Sequence, residues 1–334
     1  MPRGPGPRPR PQPPDDARGH PVPGEGQPPR ALERRPLRRP GHALPQPGLE
    51  APRPEGPGDR AAPLSPRPPG AEAAGGDRPL VKIAYQAISD VGRKRKGNED
   101  SLFLNPEQKL FVVADGMGGH AAGEVASKVA VDAINEFVCL TSGDEEITWP
   151  FGLDESISYD GNRLKTAIRH ANRKVLEATR EKTEYEGMAT TVAAVLVDGD
   201  VANLGHVGDS RIYLFSDGVF TQLTSDHSWV NEQIQSGVIS PDQARSHPLR
   251  NVVTRALGGK ADLAVDMQTR RMKAGDLLLL CSDGLTAMVP DEDIARILGE
   301  AKGDVEKAAK DLVAEANANG EEDNITVVPL KFEE

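Results

Sequence analysis

The stretch Leu110-Phe111-Val112-Val113-Ala114-Asp115-Gly116-Met117-Gly118-Gly119 decides how this chain is read. Five apolar residues without a charge predict a short buried strand, and that strand stops at a carboxylate. The glycines beyond it let the backbone bend sharply beside a ligand. An Asp-Gly pair after a strand is, taken alone, ordinary turn chemistry. Asp115 is not alone, because three further acidic clusters fall at expected strand ends or turns: Asn98-Glu99-Asp100, Ser282-Asp283-Gly284 and Glu322-Asp323-Asn324.

Outward from this stretch, composition divides the chain near residue 79. Residues 1–79 hold 23 of the 29 prolines, 13 arginines, 9 acidic residues, no lysine and no apolar run. Such a segment buries too little surface to offset its chain entropy, so a disordered Pro/Arg/Gly-rich extension is expected there. Its Pro66-Arg67-Pro68-Pro69 spacing suits polyproline docking as well as a solvated tail. Residues 80–334 suit one domain with a sizeable core. They carry 27 basic against 42 acidic residues, a balance of −15 that opposes binding to nucleic acid or to anionic lipid. Two cysteines, Cys139 and Cys281, both in apolar sequence surroundings, predict a reduced, cytoplasmic compartment without a disulfide framework. Arg34-Arg35 is followed by no apolar segment, so an export signal is not expected. No apolar run approaches the roughly 20 residues that a membrane helix requires.

Strand patterns cover 81–88, 101–104, 109–114, 189–197, 201–206, 211–215, 219–223, 263–269, 276–282 and 324–330. A period of 3.6 predicts helices over 123–140, 162–182, 291–298 and 304–316. Asp198-Gly199 and Asp217-Gly218 read as hairpin turns, which makes the strands antiparallel. Residues 225–257 break the strand rhythm with helix-like pieces and polar loops, and form a candidate substrate flap. The order strands, two helices, strands, two helices, strand favours an α+β four-layer αββα sandwich: two antiparallel β-sheets flanked by helix pairs.

Acidic sites that converge from distant parts of a chain repel one another strongly, so their convergence needs cations. Carboxylates, a backbone carbonyl and water, with no histidine or cysteine at ligand spacing, select hard ions such as Mg²⁺ or Mn²⁺. Two such ions about 3.5–4 Å apart can bridge a water and aim it at phosphorus. The cation run Arg93-Lys94-Arg95-Lys96 suits a phosphate held near metal and suits a solvated loop equally.

Taken together, Arg95-x-x-Asn98-Glu99-Asp100, Val113-Ala114-Asp115-Gly116, Ala189-Thr190-Thr191, Gly208-Asp209-Ser210-Arg211, Ser282-Asp283-Gly284 and Glu322-Asp323-Asn324-Ile325-Thr326 resemble the metal-dependent serine/threonine protein phosphatases of type 2C. Each motif is weak alone, but their order and spacing are specific, and they span the region from about residue 82 onward. The resemblance implies that 80–334 is a catalytic domain hydrolysing phosphoserine and phosphothreonine on proteins by a two-metal-bridged hydroxide. It implies a sandwich with the metals at one end. It makes Asp115 the bridging ligand and Gly116 a carbonyl ligand, with Asp283 and Asp323 completing a core of two Mn²⁺ or Mg²⁺ ions. Glu99 and Asp100 would hold metal-bound waters, and Asp209 with Asp283 a weaker third ion. Arg95 matches the phosphate-binding arginine, whose planar fork grips two phosphoryl oxygens, with Arg93 as the competing choice. The implied partners are phosphorylated proteins, targets of a serine/threonine kinase, acted on by a monomer.

One departure concerns the proton donor to the leaving group. Some members place a histidine after the metal-binding Asp-Gly, and here that position is Met117. A water on the third ion is the preferred donor; His120 is the nearest imidazole in sequence, and His206 reads as an inward strand residue without a role. Two other readings stay open. Asp198-Gly199-Asp200-Val201 resembles the loop of phosphatases with an aspartate nucleophile, and the same fold could serve as a non-catalytic phosphoprotein-binding module. A cysteine nucleophile is not expected, since neither Cys139 nor Cys281 leads into an arginine-bearing phosphate loop.

Overall fold

The computed structural model describes residues 82–119, 122–143, 149–320 and 322–334. The proline-rich extension and His120 lie outside the described residues. The chain runs β1 (Lys82–Tyr85), β2 (Ile88–Asp90), β3 (Asp100–Asn105), β4 (Leu110–Met117), α1 (Ala122–Leu140), α2 (Tyr159–Glu181), β5 (Ala189–Thr190), β6 (Val192–Asp198), β7 (Val201–Val207), β8 (Arg211–Ser216) and β9 (Val219–Gln222). It continues with α3 (Trp229–Gln235), α4 (Pro241–Arg245), β10 (Asp266–Arg271), β11 (Leu277–Cys281), α5 (Asp283–Thr286), α6 (Asp291–Ala301), α7 (Val305–Ala318) and β12 (Ile325–Glu333).

The strands form two antiparallel sheets. One has the order β1-β12-β11-β8-β9, with β2 also on β12; the other has the order β10-β7-β6-β4-β3, with β5 on β4. Alternation along β4 explains how an antiparallel strand can be apolar throughout. Leu110, Val112 and Ala114 pack with Ala126, Ala130 and Ile134 of α1 and with Leu164 and Ile168 of α2. Phe111 and Val113 point the other way, into the layer between the sheets with Val195, Leu278, Leu280 and Val328. Both faces of the strand are covered, so no polar face is needed. β11 repeats the arrangement: Leu277, Leu279 and Cys281 meet Ile294 and Leu298 of α6 and Leu312 of α7. These are the four layers expected from the sequence.

Local chemistry sets the boundaries. The β8–β9 hairpin closes at Ser216 and Val219, and its two loop residues, Asp217 at φ 50° and Gly218 at φ 78°, take the left-handed backbone of a two-residue turn. The β6–β7 hairpin closes at Asp198 and Val201, so its loop is Gly199-Asp200. Ser158 caps α2 by accepting from the Gly161 N–H, and Asp304 caps α7 by accepting from Lys307. Cys281 is buried, whereas Cys139 is exposed near the end of α1, where Val138 turns inward and Leu140 is exposed as well. No described helix is long and apolar enough to cross a membrane.

Candidate metal centre

The acidic clusters meet where β4, β11 and β12 end or begin. β3 and β4 pair so that Asp100 stands opposite Asp115. Asp283 opens α5 two residues beyond the last of β11, and Asp323 stands two residues before the first of β12. Asp209 lies in the turn between β7 and β8. The Asp115 and Asp283 carboxyl groups are within hydrogen-bond reach of each other.

Backbone geometry at Asp115 is fixed by groups distant in sequence. Its N–H donates to Thr191 Oγ1 at 2.9 Å, and its carbonyl accepts from Thr190 Oγ1 at 2.8 Å and the Thr191 N–H at 2.9 Å. Thr191 Oγ1 also meets Ser210 Oγ at 2.7 Å, tying the Gly208-Asp209-Ser210 turn to the same strand end. Next to Asp115, Gly116 donates to the Glu99 carbonyl at 3.1 Å, and a Cβ on Gly116 would overlap the Gly123 carbonyl. Only glycine lets the start of α1 approach this closely.

Asp100 is 8% exposed and its Oδ2 accepts from Thr326 Oγ1 at 2.7 Å and Ser282 Oγ at 2.8 Å. Asn324 pins the 91–99 loop: its Oδ1 accepts from the Glu99 N–H at 2.8 Å, and its Nδ2 donates to the Val91 and Gly97 carbonyls, both at 3.0 Å. Arg95 reaches Asp323 Oδ2 at 2.6 Å and lies 3.6 Å from Glu99 Oε2. A cavity of about 400 Å³, bordered by Arg95, Lys96, Asn98, Glu99 and Glu124, adjoins this pair. A second, of about 310 Å³, is bordered by Phe151, Asp154, Lys165 and Arg169 and includes none of the cluster.

Electrostatics make the cluster unstable as bare anions. Burial pushes Asp100 up to about 7 and Asp209 up to about 8, with the Asp283 charge adding to both. Asp115 is raised well above the carboxylate range by burial and then by Asp100, Asp283 and Asp209, and Asp283 is raised by burial and then by Asp323. Asp283 Oδ1 is buried without a hydrogen-bond partner. An orphaned carboxylate oxygen among crowded carboxylates, beside a backbone constrained to glycine, fits hard divalent cations with oxygen ligands.

Seven of the sequence-derived residues, Glu99, Asp100, Asp115, Gly116, Asp209, Asp283 and Asp323, gather at this end of the sandwich, with Arg95 beside them. Arg93 is exposed and Met117 pairs with Ala189 on β5. Asp198 does not join the cluster. It lies beyond Leu196, the partner of Leu110 at the start of β4, whereas Asp115 lies near the end of that strand, about 16 Å along at strand rise. The sequence reading gave no role to Ser282, Thr326, Thr191, Ser210 or Asn324. All five stand inside or beside the acidic motifs, and that adjacency is the signal that could have found them.

Comparison with known proteins points to one family. The family described as Protein phosphatase 2C matches residues 93–318. The serine/threonine phosphatase stp of Listeria monocytogenes is 38% identical over 247 residues, covering 72% of this chain and 92% of that protein. The catalytic domain of the serine/threonine protein phosphatase PstP, solved in complex with two manganese ions, superposes with a TM-score of 0.64 at 36% identity, covering 76% of this chain and 99% of that one. Stp1 from Staphylococcus aureus gives a TM-score of 0.66 at 35% identity, covering 77% and 98%.

Proposed function

The chain belongs to the protein phosphatase 2C family, and from that premise we propose that it hydrolyses phosphoserine and phosphothreonine on proteins with divalent metal at the Asp115–Asp283 cluster. The observation that carries this reading is the contact between the Asp115 and Asp283 carboxyl groups, with Asp283 Oδ1 left orphaned. Two acids so placed suit a divalent cation.

Asp115, the Gly116 carbonyl, Asp283 and Asp323 would hold two core ions, Mn²⁺ or Mg²⁺. Glu99 and Asp100 would orient water around them, and Asp209 with Asp283 would hold a weaker third ion. When bound, such ions supply a water of lowered pKa and an electrophilic clamp on the phosphoryl group. The chain's own contribution is placement. Thr190, Thr191 and Ser210 fix Asp115, while the Ser282 and Thr326 hydroxyls aim Asp100. Arg95, held by Asp323 and Glu99 in the structure, would exchange a carboxylate for phosphoryl oxygens and grip them with its fork. Met117 carries no titratable group, so the leaving oxygen takes its proton from the side of Asp209.

The catalytic unit is residues 80–334, a monomer working in the cytoplasm on targets of a serine/threonine kinase, and its acidity turns it from nucleic acid and anionic membranes. The test is turnover of a phosphothreonine peptide and of p-nitrophenyl phosphate with Mn²⁺, with Mg²⁺ and with chelator. Hydrolysis that needs metal supports the reading. Binding of the phosphopeptide without turnover in any metal would make the chain a phosphoprotein-binding module instead.

A further inference from the structure

His206, His227 and Asp266 bring two ring nitrogens and a carboxylate oxygen within 4.8 Å of one another. The grouping invites a metal ion, and the hydrogen bonds of His227 and Asp266 decide against one. Gly208 donates its backbone N–H to His227 Nδ1 at 3.0 Å, so that nitrogen presents a lone pair and the neutral ring carries its proton on Nε2. Nε2 then donates to Asp266 Oδ2 at 3.0 Å, and Arg255 donates to Asp266 Oδ1 at 2.6 Å. Metal binding at Nε2 would need an imidazolate or the loss of the Gly208 bond. His206 has a fixed tautomer too: its Nε2 lies 2.9 Å from the Ser210 carbonyl, which can only accept, and its Nδ1 is left buried without a hydrogen-bond partner. Burial, and then the neighbouring His227 ring, push His206 down to about 4, so it stays neutral.

We propose that His227 and His206 are positioning residues that set the Gly208-Asp209-Ser210 turn and, through it, the Asp209 carboxylate. The proposal rests on the reading of Asp209 as a third-ion ligand. His227 holds both polar backbone groups of Gly208, because its own N–H donates to the Gly208 carbonyl at 2.7 Å. Gly208 sits at φ 112°, where a Cβ would strike Thr191, so no other residue can follow this path. On the far side of Asp209, His206 holds the Ser210 carbonyl and Thr191 holds its hydroxyl. Asp209 is thus clamped at both neighbours. The His227 carbonyl also accepts from the Thr254 N–H at 2.8 Å, which joins the base of the 225–257 segment to the same ring-bearing residue.

The two rings work through opposite nitrogens, so their tolerated substitutions should be opposite. Asn at 227 keeps an oxygen where Nδ1 stands and can still accept from Gly208, whereas Gln reaches towards Asp266 and leaves the Gly208 N–H bare. At 206, Gln keeps a donor near the Nε2 position and Asn does not. On a phosphothreonine peptide, His227→Gln and His206→Asn should each lower kcat roughly tenfold, the size of one net hydrogen bond. The loss should be smaller on p-nitrophenyl phosphate, with KM and the affinity for the two tight Mn²⁺ ions little changed. His227→Asn and His206→Gln should keep most of kcat. Neither deleterious change should cost anything further in an Asp209→Ala background.

Equal losses for Asn and Gln at both positions, or additivity with Asp209→Ala, would overturn the proposal in favour of a merely structural role. If Asp209→Ala loses activity equally on both substrates, the third-ion reading fails, and the positioning claim is then decided by the additivity test alone. No loss in Asp209→Ala overturns both. Thermal melts of each variant separate misfolding from mispositioning, and the four substitutions supply an alternative at each ring where one does not fold.

Discussion

Asp100 stands directly opposite Asp115 across the β3–β4 ladder, two carboxylates in cross-strand register at the rim of a buried sheet. Like charges so placed destabilise a sheet. In the metal-free protein the conflict is relieved by protonation, since burial holds Asp100 at about 7 and Asp209 at about 8, far above the 3.8 of an unperturbed aspartate. The folded state therefore binds more protons than the unfolded state between these values. Metal-free stability should rise as pH falls from about 8.5 to about 7. Below the ordinary histidine value of 6.5 the rise should flatten, because burial lowers His206 and His227 and the unfolded chain then takes up protons that the folded one does not. Melts of chelated protein across this range test the first statement. Calorimetry in buffers of different ionisation enthalpy tests its companion, that Mn²⁺ binding near pH 7 releases protons.

Thr191→Val keeps the shape of the side chain and removes the hydroxyl that accepts the Asp115 N–H and meets Ser210. A buried N–H without a partner costs about 1–3 kcal/mol. Melting should drop by about 2–4 °C for each kcal/mol in a domain of this size. Turnover should fall further than the melting shift alone explains, because the strand end carrying Asp115 is released. Activity equal to the parent in a destabilised Thr191→Val would detach this hydroxyl from the site.

Arg95→Lys preserves charge near Asp323 and Glu99 but loses the planar fork. KM for a phosphopeptide should rise several-fold and kcat/KM should fall, with tight Mn²⁺ binding retained. An unchanged KM would pass the role to another cation of the 93–96 run.

Asp198→Asn should be nearly silent in turnover, since Asp198 closes the β6–β7 hairpin at the other end of the sheet from Asp115. A trapped phosphoaspartate at Asp198 would overturn that assignment.

Periodicity made the architecture legible because both faces of β4 and β11 are buried, so Leu110–Ala114 and Leu277–Cys281 read as apolar runs. The acids that gather at the sandwich end were picked out for a different reason: they stand in short motifs at strand ends and turns whose order and spacing resemble those of the phosphatase family. The residues that hold them were not. Nothing near Asp100 in sequence announces that its carboxylate belongs to Ser282 and Thr326, or that Asn324 fastens the loop before Glu99. Those contacts exist only once β3, β11 and β12 are brought together, and a hydroxyl has no pattern of its own. The short helix Asp283–Thr286 also escaped, being too brief to show a period. His206 was passed over because a buried strand histidine looks the same whether or not its ring holds a turn.

The proposed cation site depends most on Asp283, whose Oδ1 is buried without a hydrogen-bond partner. The most direct measurement is Mn²⁺-dependent hydrolysis of a phosphothreonine peptide by the parent and by Asp283→Asn, at limiting metal, with circular dichroism on both. The account predicts that the parent is active only with metal, and that Asp283→Asn keeps its fold, binds Mn²⁺ weakly and loses turnover. Parental turnover by Asp283→Asn at limiting Mn²⁺, or undiminished hydrolysis by the parent in excess chelator, would contradict it.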